Sequence, residues 1–246
     1  MTATTQFHAY ADNGLATYPL DYAAGQTTRV APPADLPTGF VTRIAAFGQP
    51  DSGWKAVRDW RGATLYRCAD GQAIALDAHG AGLADWDGLG TLPVGYTEQP
   101  RPSAYHVWQQ DAWRLDADGA ARQLADCIAA ATARLDDHAA EIYARWTRFE
   151  AEYAQREAAA RRYRDAAYQG DADTYLASYA EASAQAPQAA ADSILTQAER
   201  LHQARAALAA LRMRKYELAR QDSVDAVATL SADLLAAMDQ VVQEFD

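Results

Sequence analysis

Residues 105–115 read Tyr105-His106-Val107-Trp108-Gln109-Gln110-Asp111-Ala112-Trp113-Arg114-Leu115, and from Arg122 the apolar positions run Leu124, Ile128, Ala131, Leu135, His138 and Ile142. Two grammars meet in that span. The first part holds two short aromatic-rich runs on either side of Gln109-Gln110-Asp111, which predicts a β-hairpin with Asp111 in its turn. The second spaces apolar residues alternately three and four apart, as the seam of a helix requires. The boundary falls at Asp116. Every Trp except Trp146 and eight of the nine Pro precede it, and every Gly except Gly170 lies at or before Gly119. Beyond it the chain is rich in Ala, Glu, Gln, Arg and Leu. Gly and Pro punctuate turns and Ala favours helix, so the sequence predicts an α+β protein. A small β-rich domain over 1–116 is followed by a helical domain over 117–246, whose long helices form a hairpin, bundle or coiled coil.

In the β-rich half, Gly39 to Ala45 and Ala63 to Arg67 read as strands. The turn pair Asp70-Gly71 leads into the alternating stretch Gln72 to Leu76, and Asp77 to Gly90 reads as loop. In the helical half the seam passes to Trp146, Phe149 and Tyr153 after one extra step of four, a stutter. That predicts a single helix to Gln169, roughly 75 Å long, closed at Gly170. A short helix with Leu176, Tyr179 and Ala180 follows, capped by Asp171 or Asp173. Pro187 suits the first turn of the next, which carries Ile194, Ala198, Leu201, Leu208, Leu211 and Leu218. Asp222 or Ser223 caps the last, whose seam is Val224, Val227, Ser231, Leu234, Met238, Val241 and Phe245. Helices with one apolar stripe are unstable alone. The seam of Leu124, Ile128, Leu135, Ile142, Trp146 and Phe149 is therefore expected to form an antiparallel hairpin or an oligomer, and the length of the first helix points to a homo-oligomer or stalk.

The chain has 246 residues, 50% hydrophobic and 22% charged, which suits a folded, soluble protein. Its net charge of −11 repels phosphate backbones and argues against nucleic acid as a partner. No run reaches the roughly 18 apolar residues of a membrane span, and Met1 to Tyr10 lacks the pattern of a secretion leader. Cys68 and Cys127 are far apart in sequence and read as reduced small hydrophobes. Among His8, His79, His106, His138 and His202 there is no metal-ligand pair. Asp77, Asp85 and Asp87 sit in a Gly-rich loop without calcium-loop spacing, so a solvated loop is the expectation. Gly80-Ala81-Gly82 lacks the context of a phosphate cradle, and Ser52 and Ser103 lack partners for a nucleophile. Arg156, Arg161, Arg162 and Arg164 interleave with Glu150, Glu152 and Glu157 as a helical ion-pair face, and Arg212, Arg214 and Lys215 form a second basic group. No enzyme, metal or cofactor is expected.

The aromatic excess is what stands out. Trp54, Trp60, Trp86, Trp108 and Trp113 crowd the first half with Tyr66, Tyr96 and Tyr105. Small β domains use Trp as core, but Trp and Tyr are also favoured interface anchors. The order Leu65-Tyr66-Arg67-Cys68-Ala69-Asp70-Gly71-Gln72, Leu92-Pro93-Val94-Gly95-Tyr96-Thr97, Arg101-Pro102-Ser103 and the Trp108/Trp113 pair resembles bacteriophage tail fibre assembly proteins, which act as fibre chaperones. A looser likeness to related tail proteins extends to Ala189 to Leu195 and Leu211 to Lys215. The resemblance implies a non-enzymatic assembly factor that binds the distal part of a trimeric tail fibre protein in the host bacterial cytoplasm and promotes its folding or assembly. Its partner-binding residues would be Pro93, Gly95, Tyr96, Thr97, Trp108 and Trp113. The alternatives are a structural tail component retained in the virion, and a hydrolase of cell-surface polymers built on Asp85 and Asp87.

Overall fold

In this computed structural model, which describes residues 7–11, 14–20, 26–49 and 51–245, ten short strands make four small antiparallel sheets before the first helix begins. Residues 1–6, part of the stretch read for a leader, lie outside the described residues. The chain divides into two compact units, Met1–Gly119 and Ala120–Asp246. The architecture is α+β.

In the first unit β1 (Phe7–Tyr10) lies between β2 (Ala16–Leu20) and β3 (Thr27–Thr28), and β4 (Phe40–Ile44) pairs with β5 (Trp54–Arg58). The strand β6 (Thr64–Arg67) is flanked by β7 (Ala73–Ala75) and β8 (Tyr96–Thr97), and β9 (His106–Gln109) pairs with β10 (Ala112–Leu115). Two- and three-stranded sheets bury little by themselves. Side chains and loops therefore join them. Leu65, Leu76 and Leu89 are buried, and Thr28 Oγ1 donates to the Ser52 carbonyl at 2.6 Å. The tryptophans are not the fully buried core that their number suggests. All five are half-buried, and four tie loops down through the indole N–H. Trp54 donates to the Val30 carbonyl at 2.6 Å, Trp60 to Gly90 at 2.8 Å, Trp86 to Leu89 at 3.1 Å and Trp113 to Gln99 at 2.9 Å. A Trp can fill a gap and satisfy a loop carbonyl at once, which suits a unit with little regular structure.

The second unit contains α1 (Ala117–Thr147) from Ala120 onward, α2 (Glu150–Asp165), α3 (Thr174–Ala182), α4 (Pro187–Met213) and α5 (Val224–Phe245), with a 3-10 segment at Arg214–Arg220. The capping signals work as their chemistry demands. Asp173 accepts from the Tyr175 amide at 3.0 Å, Ser223 Oγ accepts from the Ala226 amide at 3.2 Å, and Pro187 opens α4. α4 is the spine of two cores. Around its C-terminal half, α1, the 3-10 segment and α5 enclose Leu135, Ile142, Leu208, Leu218, Leu234 and Met238. Around its N-terminal half, α2 and α3 close over Ala159, Ala160, Leu176, Ala190, Ala191 and Ile194, where small side chains let the helices approach closely.

The single long helix expected to Gln169 is not present. It breaks at Arg148-Phe149, and α2 ends at Asp165, after which Ala167 and Tyr168 take left-handed φ of 54° and 62°. The cause is tertiary. The contacts Asp136–Arg212, Trp146–Arg205, Glu157–His202 and Tyr168–Asp192 descend α4 as the other strand of helix ascends, so α1 and α2 run antiparallel to it. From Asp136 to Tyr168 a straight helix would rise roughly 48 Å, against roughly 30 Å along α4 between their partners. A break shortens the first path so that both segments keep their contacts. Arg205 then satisfies a carbonyl at the break, donating to that of Trp146 at 3.0 Å, and pairs with the Glu150 side chain at 2.9 Å.

Asp136 is the polar tie of this bundle. Lys215, with a side chain only 12% exposed, donates to it at 2.6 and 2.8 Å, and Arg212 donates at 2.7 Å. These hydrogen bonds, Lys215 first, hold the Asp136 carboxyl below the usual carboxylate range. A depressed folded pKa means that the contribution is complete above the unfolded value and is lost as pH falls through the folded one. Asp136→Asn should lower the melting temperature by a few degrees at pH 7, about 1 kcal/mol for a partly exposed network. Thermal melts at descending pH should show that gap closing below pH 4, since protonated wild type then resembles the variant.

Candidate interaction surface

The motif from Pro93 to Thr97 forms a type II turn. The Tyr96 amide donates to the Pro93 carbonyl at 3.2 Å, and Gly95 occupies the third position at φ 90°, where a side chain is disfavoured. The Gly95 carbonyl accepts from the Cys68 amide at 2.8 Å, and Tyr96 and Thr97 pair with Arg67 and Tyr66 as β8. The turn is thereby pinned to the β6 sheet, with Val94 at its tip and fully exposed. An aliphatic side chain held wholly in water has no folding reason to be there. Pro93 and Tyr96 are half-buried and Gly95 is exposed, whereas Thr97 is 5% exposed and its hydroxyl accepts from the Gln99 amide. Thr97 thus supports the turn from beneath and does not present a contact surface.

Trp108 and Trp113 face each other across the β9–β10 ladder, edge to face with ring centroids 5.3 Å apart. The loop of that hairpin is shorter than the three residues expected. Gln109 belongs to β9, and Gln110 and Asp111 alone turn the chain at φ 50° and 58°, a type I′ geometry. Trp113 donates to the Gln99 carbonyl, and Gln99 in turn donates to Thr97, so the hairpin and the turn are linked through one residue. Trp108 differs from its four neighbours in the unit. Its half-buried indole has no hydrogen-bond partner among the described residues.

Arg101 is a residue whose role local sequence patterns conceal. Its guanidinium donates to the carbonyls of His106 at 2.8 Å, Asp70 at 2.9 Å and Ala104 at 2.9 Å, and lies 5.5 Å from the Trp113 ring centre. It joins the hairpin to the Asp70-Gly71 turn. That turn is further held by Arg67, whose hydrogen bond to Asp70, followed by that from the Gln72 amide, lowers the Asp70 carboxyl to about 2.

The remaining candidates are placed as follows. Asp77 accepts from the amides of His79 and Ala81 at 2.8 and 2.7 Å, which hold its carboxyl low, and Asp87 pairs with Arg43 at 3.2 Å. Both organise the loop. His106 contacts Ser103, His138 contacts Asp239 and His202 contacts Glu157, each a separate pair. Among the described residues no three His, Cys, Asp or Glu side chains are grouped to hold a metal, and no helix is long and apolar enough to cross a membrane. Of the seam residues, Leu135, Ile142 and Trp146 are buried in the intrachain core, with Leu124 and Ile128 packed against it. Phe149 is not on that seam. It lies at the helix break, 51% exposed, because the stutter is a real interruption of the helix.

No family model matches the chain, and no solved structure matches it. By sequence it is 34% identical over 139 residues to an uncharacterized 23.3 kDa protein of Haemophilus phage HP1, covering 56% of this chain and 70% of that protein. It is 34% identical over 92 residues to the tail fiber assembly protein of Escherichia phage lambda, 37% of this chain and 40% of the relative. The same identity over 92 residues relates it to the prophage tail fiber assembly protein homolog TfaR of Escherichia coli K12, 41% of which is covered. The chain belongs to the tail fibre assembly protein family. It spans about two fifths of the length of the relatives that carry that name.

Proposed function

We propose that this chain is a non-enzymatic tail fibre assembly chaperone. It binds the phage tail fibre protein through the Pro93 to Thr97 turn and the Trp108 side of the adjoining hairpin, and it acts in the host cytoplasm during assembly. One observation carries the reading. A hydrogen-bonded turn lifts the bare Val94 side chain into water and is tied to a hairpin whose Trp108 indole N–H has no partner among the described residues. Aromatic and aliphatic groups offered on a fixed backbone are what an anchor site requires. The need for such a partner is physical, since β-rich fibre trimers expose strand edges and apolar surface while they assemble. The family membership supports the same role. Residues 1–116 are the proposed fibre-binding domain and 117–246 a second domain. Self-association would have to use a surface other than the seam, whose central residues are already buried within one chain.

Co-expression with the fibre protein, followed by scoring of soluble trimeric fibre, tests the proposal. Val94→Asp and Trp108→Ala should each weaken fibre binding by about thirtyfold, the effect of losing a hot spot of about 2 kcal/mol. Val94→Asp should leave the melting temperature unchanged, because Val94 touches nothing that folding buries. Full fibre assembly with both variants, or assembly lost only in proportion to lost stability, would remove the turn from the interface. Recovery of the chain in purified virions would move the reading to a retained tail component.

A further inference from the structure

The break between α1 and α2 opens a cleft of about 760 Å3 in the helical unit. Its apolar wall is formed by Trp146 and Phe245, edge to face at 5.5 Å, together with Leu201. Tyr153, 41% exposed, stands at the cleft and pairs at 6.4 Å with the 51% exposed ring of Phe149. A helix running straight through residues 148 and 149 would not create this arrangement.

The same cleft is positively charged on a chain whose net charge is −11. Among the described residues Arg145, Arg156, Arg200 and Arg205 line it against Glu150 and Glu157. Both glutamates are already engaged. Arg205 donates to Glu150, and Glu157 takes hydrogen bonds from Arg161 and His202. Burial pushes the Glu157 carboxyl up, but these two donors outweigh it and hold it below its ordinary value. Arg200 donates to the carbonyls of Glu244 and Phe245 at the end of α5. Arg156 pairs with Glu152 and lies 5.7 Å from the ring centres of both Tyr153 and Tyr179. Arg145 has no hydrogen bond or ion pair among the described residues. Arg205 Nε is buried without an acceptor among the described residues.

We propose that this cleft is a docking site for an acidic peptide segment carrying an aromatic or aliphatic side chain. The apolar residue sits against Trp146, Phe245 and Tyr153, and the flanking carboxylates are met by Arg145 and its neighbours. Arginine beside Trp and Tyr is the composition of interface anchors, and guanidinium–carboxylate pairing supplies direction. The volume is that of a site for a few side chains. The charge of the whole chain selects among anionic ligands. An extended polyanion, whether nucleic acid or anionic bilayer, meets the acidic remainder of the surface, whereas a short segment senses the local arginines within a Debye length. This inference is independent of the fibre-binding reading, since it concerns the other unit.

The test uses the full chain and fluorescence anisotropy of a short labelled peptide of glutamates interspersed with phenylalanine and leucine. Saturable binding is expected, with binding lost when lysines replace the glutamates. Arg145→Glu and, separately, Tyr153→Ala should each weaken it by about tenfold, with Arg145→Gln giving a smaller loss in the same direction. Thermal melts of these variants should match the wild type, because both side chains are exposed. Trp108→Ala should bind the peptide normally even where fibre assembly is lost. Equal binding of the lysine peptide, unchanged affinity in both cleft variants, or no saturable binding would overturn the proposal. Displacement of the peptide by phosphatidylglycerol vesicles would assign the cleft to a membrane surface instead, and would overturn it equally.

Discussion

Leu135→Asp is expected to abolish cooperative folding of the helical unit. Leu135 is fully buried in α1, within the core that also contains Leu208, Leu218 and Leu234. Removing its side chain forfeits roughly 1.5–3 kcal/mol of apolar burial. An unpaired carboxylate in the same place adds several kcal/mol of desolvation, or forces a proton onto the group at similar expense. The sum rivals the whole stability of an ordinary domain, about 5–15 kcal/mol. Far-ultraviolet circular dichroism should show much of the helix signal gone at 25 °C, with no sharp thermal transition for what remains. Leu135→Ala gives the graded version, about 2–5 kcal/mol. Its melting temperature should be lowered but independent of protein concentration, as an intrachain core requires. A melting temperature that rises with concentration would mean that the seam is shared between chains and not packed within one.

The residues that made the helical half readable are those whose signals are local. Asp173 and Ser223 announce helix starts because a cap needs a side chain within three residues of its own amide partner, and Pro187 does so because a residue without an N–H suits the first turn. The α5 seam is legible because Val227, Ser231, Leu234 and Met238 all face one core. The break at Arg148-Phe149 shows in the sequence only as the stutter, for the opposite reason. No Gly, Pro or capping side chain marks it, and its carbonyl is satisfied by Arg205, fifty-nine positions onward. Leu218 likewise keeps the apolar spacing of α4 while lying on a 3-10 segment, since period alone does not separate the two helix types over one turn. In the β-rich half the hairpin and the Asp70-Gly71 turn were readable from turn chemistry. β1, β2 and β3 were not, because two to five residues with no clear alternation carry almost no periodic signal. The candidate surface was legible as a motif but not as a geometry. Thr97 and Tyr96 look equivalent in the sequence, and only the pairing with β6 puts one beneath the turn. Val94 reads in the sequence only as a member of the turn motif, although a hydrophobic residue at the second position of such a turn has nowhere to bury.

Arg101→Ala is expected to destabilise the β-rich unit by about 2–4 kcal/mol, enough to lower its melting temperature by ten degrees or more. Three carbonyls lose a charged donor together, and hydrogen bonds from charged groups contribute about 1.5–3 kcal/mol each when shielded. Two of the three are exposed and water replaces them in part, so the loss falls below the simple total. Arg101→Lys should recover little, because one ammonium cannot reach carbonyls that lie along a planar fork, nor stack on Trp113. Near-ultraviolet circular dichroism should report the loss directly, through the Trp108–Trp113 pair that the fork holds beside the turn. Gly71 tests the same contact from the other side. It sits at φ 77°, and a Cβ there would lie 2.6 Å from Arg101 Cδ and 2.7 Å from its Cβ, too near the backbone for the side chain simply to swing away. Gly71→Ala should therefore destabilise through both the left-handed backbone and the clash. In the double variant the alanine that replaces Arg101 keeps its Cβ, so the clash is relieved only at Cγ and Cδ, and the combined loss should fall partly short of the two single losses added together. Strict additivity would mean that the two residues do not share the contact. Full stability of Arg101→Lys would mean that a point charge is enough and that the fork is not what holds the hairpin to the turn.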